Sequence, residues 1–174
     1  MKAILHGALL GAALLIPSIA SAHITFEAKE VTAGGTQKFV LRVPHGCAGS
    51  PTNEVRIQIP AELSGVKPQP KPGWTLSIDH AEHEAVATPA STAAHAGHDT
   101  PVREIAWSGG SLQDAHYDEF VFRAKVDATA AGKDLFIPIV QKCETGIERW
   151  IELPGANGAE PQSPAPSVKV VPGA

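Results

Sequence analysis

A surplus of positive charge is the first thing this sequence lacks. Fourteen Lys and Arg stand against eighteen Asp and Glu, a formal net charge of −4. With no basic field to hold a polyanionic chain, neither nucleic acid nor an anionic membrane is an expected partner. Long apolar runs are also missing. The hydrophobic stretch from Ala8 to Ile16 falls well short of the ~20 residues that a membrane span needs. No convincing amphipathic helix can be read along the chain, and no G-x-S-x-G, H-E-x-x-H or zinc-spaced Cys/His pair occurs, so no hydrolytic enzyme is expected. Turn formers, in contrast, are plentiful. Sixteen Gly and fifteen Pro in 174 residues favour many turns and short strands, and the length suits one globular domain.

Residues 1–22 read as a signal peptide. Lys2 gives a positive start, Ala8 to Ile16 an apolar centre and Pro17 a break, and Ala20-Ser21-Ala22 fits the small-residue cleavage pattern. The expected product is an exported, soluble, periplasmic (cell-envelope) protein. His23 would be its first residue and 152 residues its length, the 174 of the chain less those 22. A terminal histidine carries an α-amine and an imidazole, with ordinary pKa values near ~8 and ~6.5, so both lose their protons at little cost near neutral pH. Together they can chelate one metal ion through two nitrogens, a donor pair suited to Cu(II). The plainer reading is that processing simply leaves a histidine there.

Alternation of apolar and polar residues dominates from His23 on. It runs through Ile24–Glu27, Lys38–Val43, Glu54–Ile59, Trp74–Ile78, Arg103–Trp107, Glu119–Val126 and Leu135–Val140, and a last strand is expected around Ile147–Leu153. Pro138 marks an edge or bulge in the seventh. Such short strands separated by turns predict an all-β fold, a single β-sandwich of immunoglobulin or cupredoxin type spanning 23–154. An Ala- and Thr-rich insertion at 79–100 interrupts it and holds His80, His83, His95 and His98. Short His-rich tracts can collect metal loosely, and a solvated hairpin insertion is the bland alternative. Residues 155–174, rich in Pro, Ala and Gly, are expected to form a flexible tail.

Cys47 and Cys143 are the only cysteines. In an oxidising compartment they are expected to pair, closing a large loop and stabilising the fold by up to ~4.7 kcal/mol on the chain-entropy model. A blue-copper site would need a free Cys and an axial Met, and the only Met is Met1.

Several short motifs then line up in order. They are His23-Ile-Thr-Phe-Glu27, Arg42-Val-Pro-His-Gly-Cys-Ala-Gly-Ser-Pro-Thr52, Ile57-Gln-Ile-Pro60 and Lys71-Pro-Gly-Trp74. Trp107-Ser-Gly-Gly110, Tyr117-Asp-Glu-Phe120 and Gln141-Lys-Cys143 followed by Trp150 complete the series. In these the chain resembles the YcnI-like family of exported copper-binding domains, over about His23 to Leu153. The resemblance implies a β-sandwich whose N-terminal histidine holds Cu(II) as a single-histidine brace, with a glutamate and a tryptophan completing or covering the site. It assigns the metal to His23, the tryptophan to Trp150 and the glutamate to Glu119, with Glu27 and Glu54 as competitors. It also suggests copper-transport membrane proteins or periplasmic copper chaperones as partners.

From the residues alone, Glu119 is an outward position, since Phe120, Phe122, Ala124 and Val126 share the core face. His45 is read as packing beside the disulfide loop in preference to ligation, and Trp74 and Trp107 as core or edge packing. The expected function is therefore copper trafficking or homeostasis without catalysis. The alternatives are a copper-dependent oxygenase, with His45 or His116 as a further nitrogen ligand, and a purely structural exported β-domain. Free-thiol titration of denatured, unreduced protein is expected to find close to none. Two thiols, or an intense blue thiolate-to-copper band, would contradict the disulfide.

Overall fold

A computed structural model describes residues 23–81, 100–155 and 161–173. In chain order its strands are β1 (Thr25–Phe26), β2 (Glu30–Thr32), β3 (Thr36–Val43), β4 (Thr52–Gln58), β5 (Leu63–Pro68) and β6 (Thr75–His80). They continue as β7 (Val102–Leu112), β8 (Asp118–Val126), β9 (Asp134–Phe136), β10 (Ile139–Cys143), β11 (Ile147–Trp150) and β12 (Ser167–Val171). One sheet has the order β1-β3-β8-β5 and a second the order β11-β10-β4-β7-β6. The period-two pattern explains why they stack. Phe39, Leu41, Val43, Phe120 and Phe122 are buried from the first sheet, and Val55, Ile57, Ile105, Trp107 and Ile139 from the second. The result is the expected β-sandwich.

Aromatic rings fill the interior. Phe39 stacks on Phe122 at 4.8 Å between centroids, and Phe26 meets both edge-on. Trp107 is fully buried, and its indole N–H donates to the Gln69 carbonyl at 2.9 Å. Trp74 packs edge-on against Phe120 and lies over Gly110, where a Cβ would collide with the indole ring. Both tryptophans therefore serve packing, as read from the sequence.

Pro138 divides the seventh expected strand between two sheets. Leu135 and Phe136 belong to β9, whereas Ile139 begins β10 in the second sheet. Proline has no N–H to donate to a ladder, so the chain changes sheets there, and the Pro138 carbonyl accepts from the Gln58 N–H at 3.0 Å. Three strands, β2, β5 and β12, have no counterpart among those expected from the sequence. β2 has three residues, too few to reveal a period, and β5 loses its alternation at a bulge between Ser64 and Lys67, where Gly65 adopts φ 57°.

The expectation of a flexible tail is corrected at its far end. β12 pairs in parallel with β2 and antiparallel with β9, forming a third sheet in the order β2-β12-β9. Ala165, Val168 and Val170 are buried, and burying two valines stabilises by about 1.5–3 kcal/mol each. The domain thus runs past residue 154. The insertion boundary also moves, because Asp79 and His80 belong to β6, paired with Glu104 and Val102. Asp79 is further held by Arg103, and this hydrogen bond lowers its carboxyl pKa. His83, His95 and His98 lie outside the described residues.

Val170→Asp places a carboxylate in this seam and should lower the melting temperature by roughly 10 °C, while Lys169→Asp on the exposed side should change little. Equal melting of parent and Val170→Asp by calorimetry would show that β12 adds nothing to the domain.

Candidate metal site

His23 sits where the first sheet opens. β1 pairs with β3 through Thr25↔Arg42 and Phe26↔Leu41. Ile24 and Phe26 are buried in the core and anchor the segment, while His23 stays half-buried at the mouth. Its ring meets the edge of Trp150, with centroids 5.3 Å apart and planes at 69°. Trp150 ends β11 in the opposite sheet and is buried. This contact joins the start of the domain to the far sheet of the sandwich.

Behind the indole lies a buried amide. Trp150 donates its Nε1–H to Gln141 Oε1 at 3.3 Å. Gln141 Nε2 donates to Thr52 Oγ1 and to the His45 carbonyl, each at 2.7 Å. Gln141 and Thr52 have no exposed surface. The side-chain amide thus uses its acceptor and both donors, as a buried primary amide must if no polar group is to go unsatisfied. Neither Gln141 nor Thr52 was assigned a role in the sequence reading. The available signal was a glutamine between Ile139 and Cys143 at the inward positions of one strand.

The loop carrying His45 is held from three directions. Cys47 and Cys143 form the expected disulfide, with Cα atoms 5.9 Å apart, and tie the loop to β10. Cys47 and Ser50 exchange backbone hydrogen bonds at 3.0 and 2.9 Å, and Asp114 accepts the Gly46 N–H at 3.0 Å. Gly46 is required by space, since a Cβ there would collide with the Ser50 carbonyl. His45 is half-buried in this loop, as the sequence suggested, with Nδ1 2.5 Å from the Gly46 carbonyl. His116 is exposed between β7 and β8.

Glu119 belongs to a different cluster. In register it stands opposite Arg42 on β3, and its carboxylate lies 3.7 Å from the guanidinium. Arg42 also donates to Glu27 at 2.7 Å. With the order β1-β3-β8, Glu119 is two strand spacings from β1, roughly 10 Å. Among the described residues no hydrogen bond or ion pair joins it to His23. Glu54 is on the second sheet, 3.7 Å from both Arg56 and Lys142.

The structure therefore brings His23 and Trp150 together and gives Glu119 and Glu27 to Arg42. Among the described residues no cluster of three or more His, Cys, Asp or Glu side chains could hold a metal ion. A metal at His23 thus fits the donors present only if the α-amine joins the imidazole, which requires His23 to be the chain terminus. Space for exchange exists on one side. A cleft of about 390 Å³ opens beside His23, with Lys29, Asp134, Pro164 and Lys169 among its walls.

The fold, though, recurs among known proteins. A solved Nocardia farcinica protein, described as uncharacterized and immunoglobulin-like in fold, superposes with a TM-score of 0.66 at 22% identity, covering 86% of this chain and 98% of that one. A curated relative, the copper-binding protein CutI of Bacillus subtilis (strain 168), is 25% identical over 120 residues, 68% of this chain. The chain spans about half the length of that relative, 50%. The family model described as "Domain of unknown function (DUF1775)" matches residues 23–170, from His23 into β12. On that match, which takes in every strand of the sandwich, the chain belongs to the DUF1775, or YcnI-like, family.

Proposed function

We propose that this protein is exported and binds Cu(II) through the α-amine and imidazole of a processed N-terminal His23, carrying or buffering copper in the cell envelope. The observation that carries this reading is the His23–Trp150 contact, directly after an A-x-A cleavage signal. The copper-binding name of the Bacillus subtilis relative supports the same ion. Copper is cargo in this account, and its donors or acceptors are copper-transport membrane proteins or copper chaperones.

The chemistry follows from what each group can do. The two nitrogens of His23 supply the chelate and leave further positions of a Cu(II) ion to oxygen ligands or water. Trp150 cannot ligate through its indole nitrogen, which is a donor and is already used by Gln141. It can shield one side of the ion from water and add a cation–π attraction. Gln141 fixes the tilt of that ring. Glu119 is our proposed charge-compensating carboxylate, and it must leave Arg42 to act.

Retaining even one residue before His23 turns the amine into an amide, so Cu(II) affinity measured by competition with a chelator should fall by orders of magnitude. Equal affinity with and without the extra residue would refute the chelate. The carboxylate has its own test. Glu119→Gln should weaken Cu(II) binding and alter its EPR parameters, whereas Glu27→Gln and Glu54→Gln should not. Arg42→Gln should tighten binding by releasing Glu119, and that gain should vanish in the Arg42→Gln/Glu119→Gln double variant. If Glu27→Gln alone weakens binding, Glu27 is the ligand.

A further inference from the structure

Five cations among the described residues carry a carboxylate partner. Arg42 has Glu27 and Glu119, Arg56 has Glu54 and Glu104, and Lys142 has Glu54. Lys71 pairs with Asp118 and Arg103 with Asp79. One row on the outer face of the first sheet sets three cations side by side across three strands. Lys38 of β3 stands opposite Arg123 of β8, and Arg123 stands opposite Lys67 of β5. All three side chains are exposed, and none is among the ion pairs of the described residues.

Neighbouring strands are about 4.8 Å apart, so three positive charges lie within roughly 10 Å. Like charges directly opposite one another on a sheet are destabilising. A chain of net charge −4 has carboxylates available to neutralise such a row, yet none among the described residues pairs with it. The row also borders a concavity of about 390 Å³ whose wall includes Pro68, Gln69 and Val121. That volume is at the lower end of small-molecule sites. Arg123 offers a planar fork suited to carboxylate or phosphate oxygens, and the two lysines add point charges on either side.

We propose that Lys38, Arg123 and Lys67 form a binding site for a compact polyanion, a small molecule bearing two or more carboxylate or phosphate groups. The anion relieves the repulsion along the row and accepts hydrogen bonds from all three side chains. Along β3 the site is four residues from Arg42, roughly 13 Å, and it does not depend on the copper reading.

The test is calorimetric titration of the purified protein at low ionic strength with tripolyphosphate and, separately, with citrate. At least one probe should bind with one-to-one stoichiometry. Lys38→Gln/Arg123→Gln/Lys67→Gln should weaken it by roughly tenfold or more, and without ligand this variant should melt no lower than the parent. Lys67→Gln alone, on the edge strand, should give a smaller loss and serves if the triple variant folds poorly. Lys133→Gln/Arg149→Gln, which removes two exposed charges elsewhere, should bind like the parent. Binding of citrate alone identifies a carboxylate ligand, and of tripolyphosphate alone a phosphate. No binding of either probe, full binding by the triple variant, or an equal loss in the Lys133/Arg149 control would overturn the proposal.

Discussion

A primary amide has been placed in the apolar interior of this sandwich, and it must find three partners there. Gln141 finds them in Trp150, Thr52 and the His45 carbonyl. Each partner comes from a different part of the chain: the end of β11, the start of β4 and the loop after β3. Leaving any one of these buried groups unpaired would cost about 1–3 kcal/mol. The requirement therefore sets where the loop, the indole and the strand lie relative to one another. The disulfide reinforces the same arrangement, since Cys143 is two residues from Gln141 and Cys47 two from His45. His23 meets the one ring whose orientation this network determines.

The network also explains how the site divides its labour. Rigidity is concentrated behind Trp150, in residues with almost no exposure, while His23 is half-buried and borders an open cleft. The copper-carrying role proposed above would use that combination, a buried wall that excludes water on one side and an accessible imidazole on the other. The acidic residues nearest to β1 in the sheet are committed to Arg42, a half-exposed guanidinium whose pairs with Glu27 and Glu119 compete. Exposed pairs of this kind contribute little to stability, so exchanging one for a metal ion carries a small penalty.

Much of the fold was legible because alternation with period two survives in the longer strands. Phe39, Leu41 and Val43, or Phe120, Phe122 and Ala124, announce their face without any knowledge of a partner. Legibility failed where local signals were broken or outweighed. A bulge at Gly65 hid β5, and Val168 and Val170 alternate correctly in a segment whose Pro and Gly content suggested a loose tail. Of the residues named from the sequence, His23 and Trp150 are the two that the fold brings into contact. That Glu119 stands opposite Arg42 could not be read in advance, because register between β3 and β8 joins residues far apart in sequence. Gln141 was visible as an inward polar residue, but its three partners come from separate segments that only the fold brings together.

The central claim is that two nitrogens of one residue hold the ion. It is tested most directly by the Cu(II) EPR spectrum of protein beginning at His23, with uniform ¹⁵N labelling to resolve the ligand couplings. The account predicts a single axial species with couplings from two inequivalent nitrogens, both lost in His23→Ala. A spectrum unchanged by His23→Ala, or one showing nitrogen couplings that arise from another histidine, would contradict it.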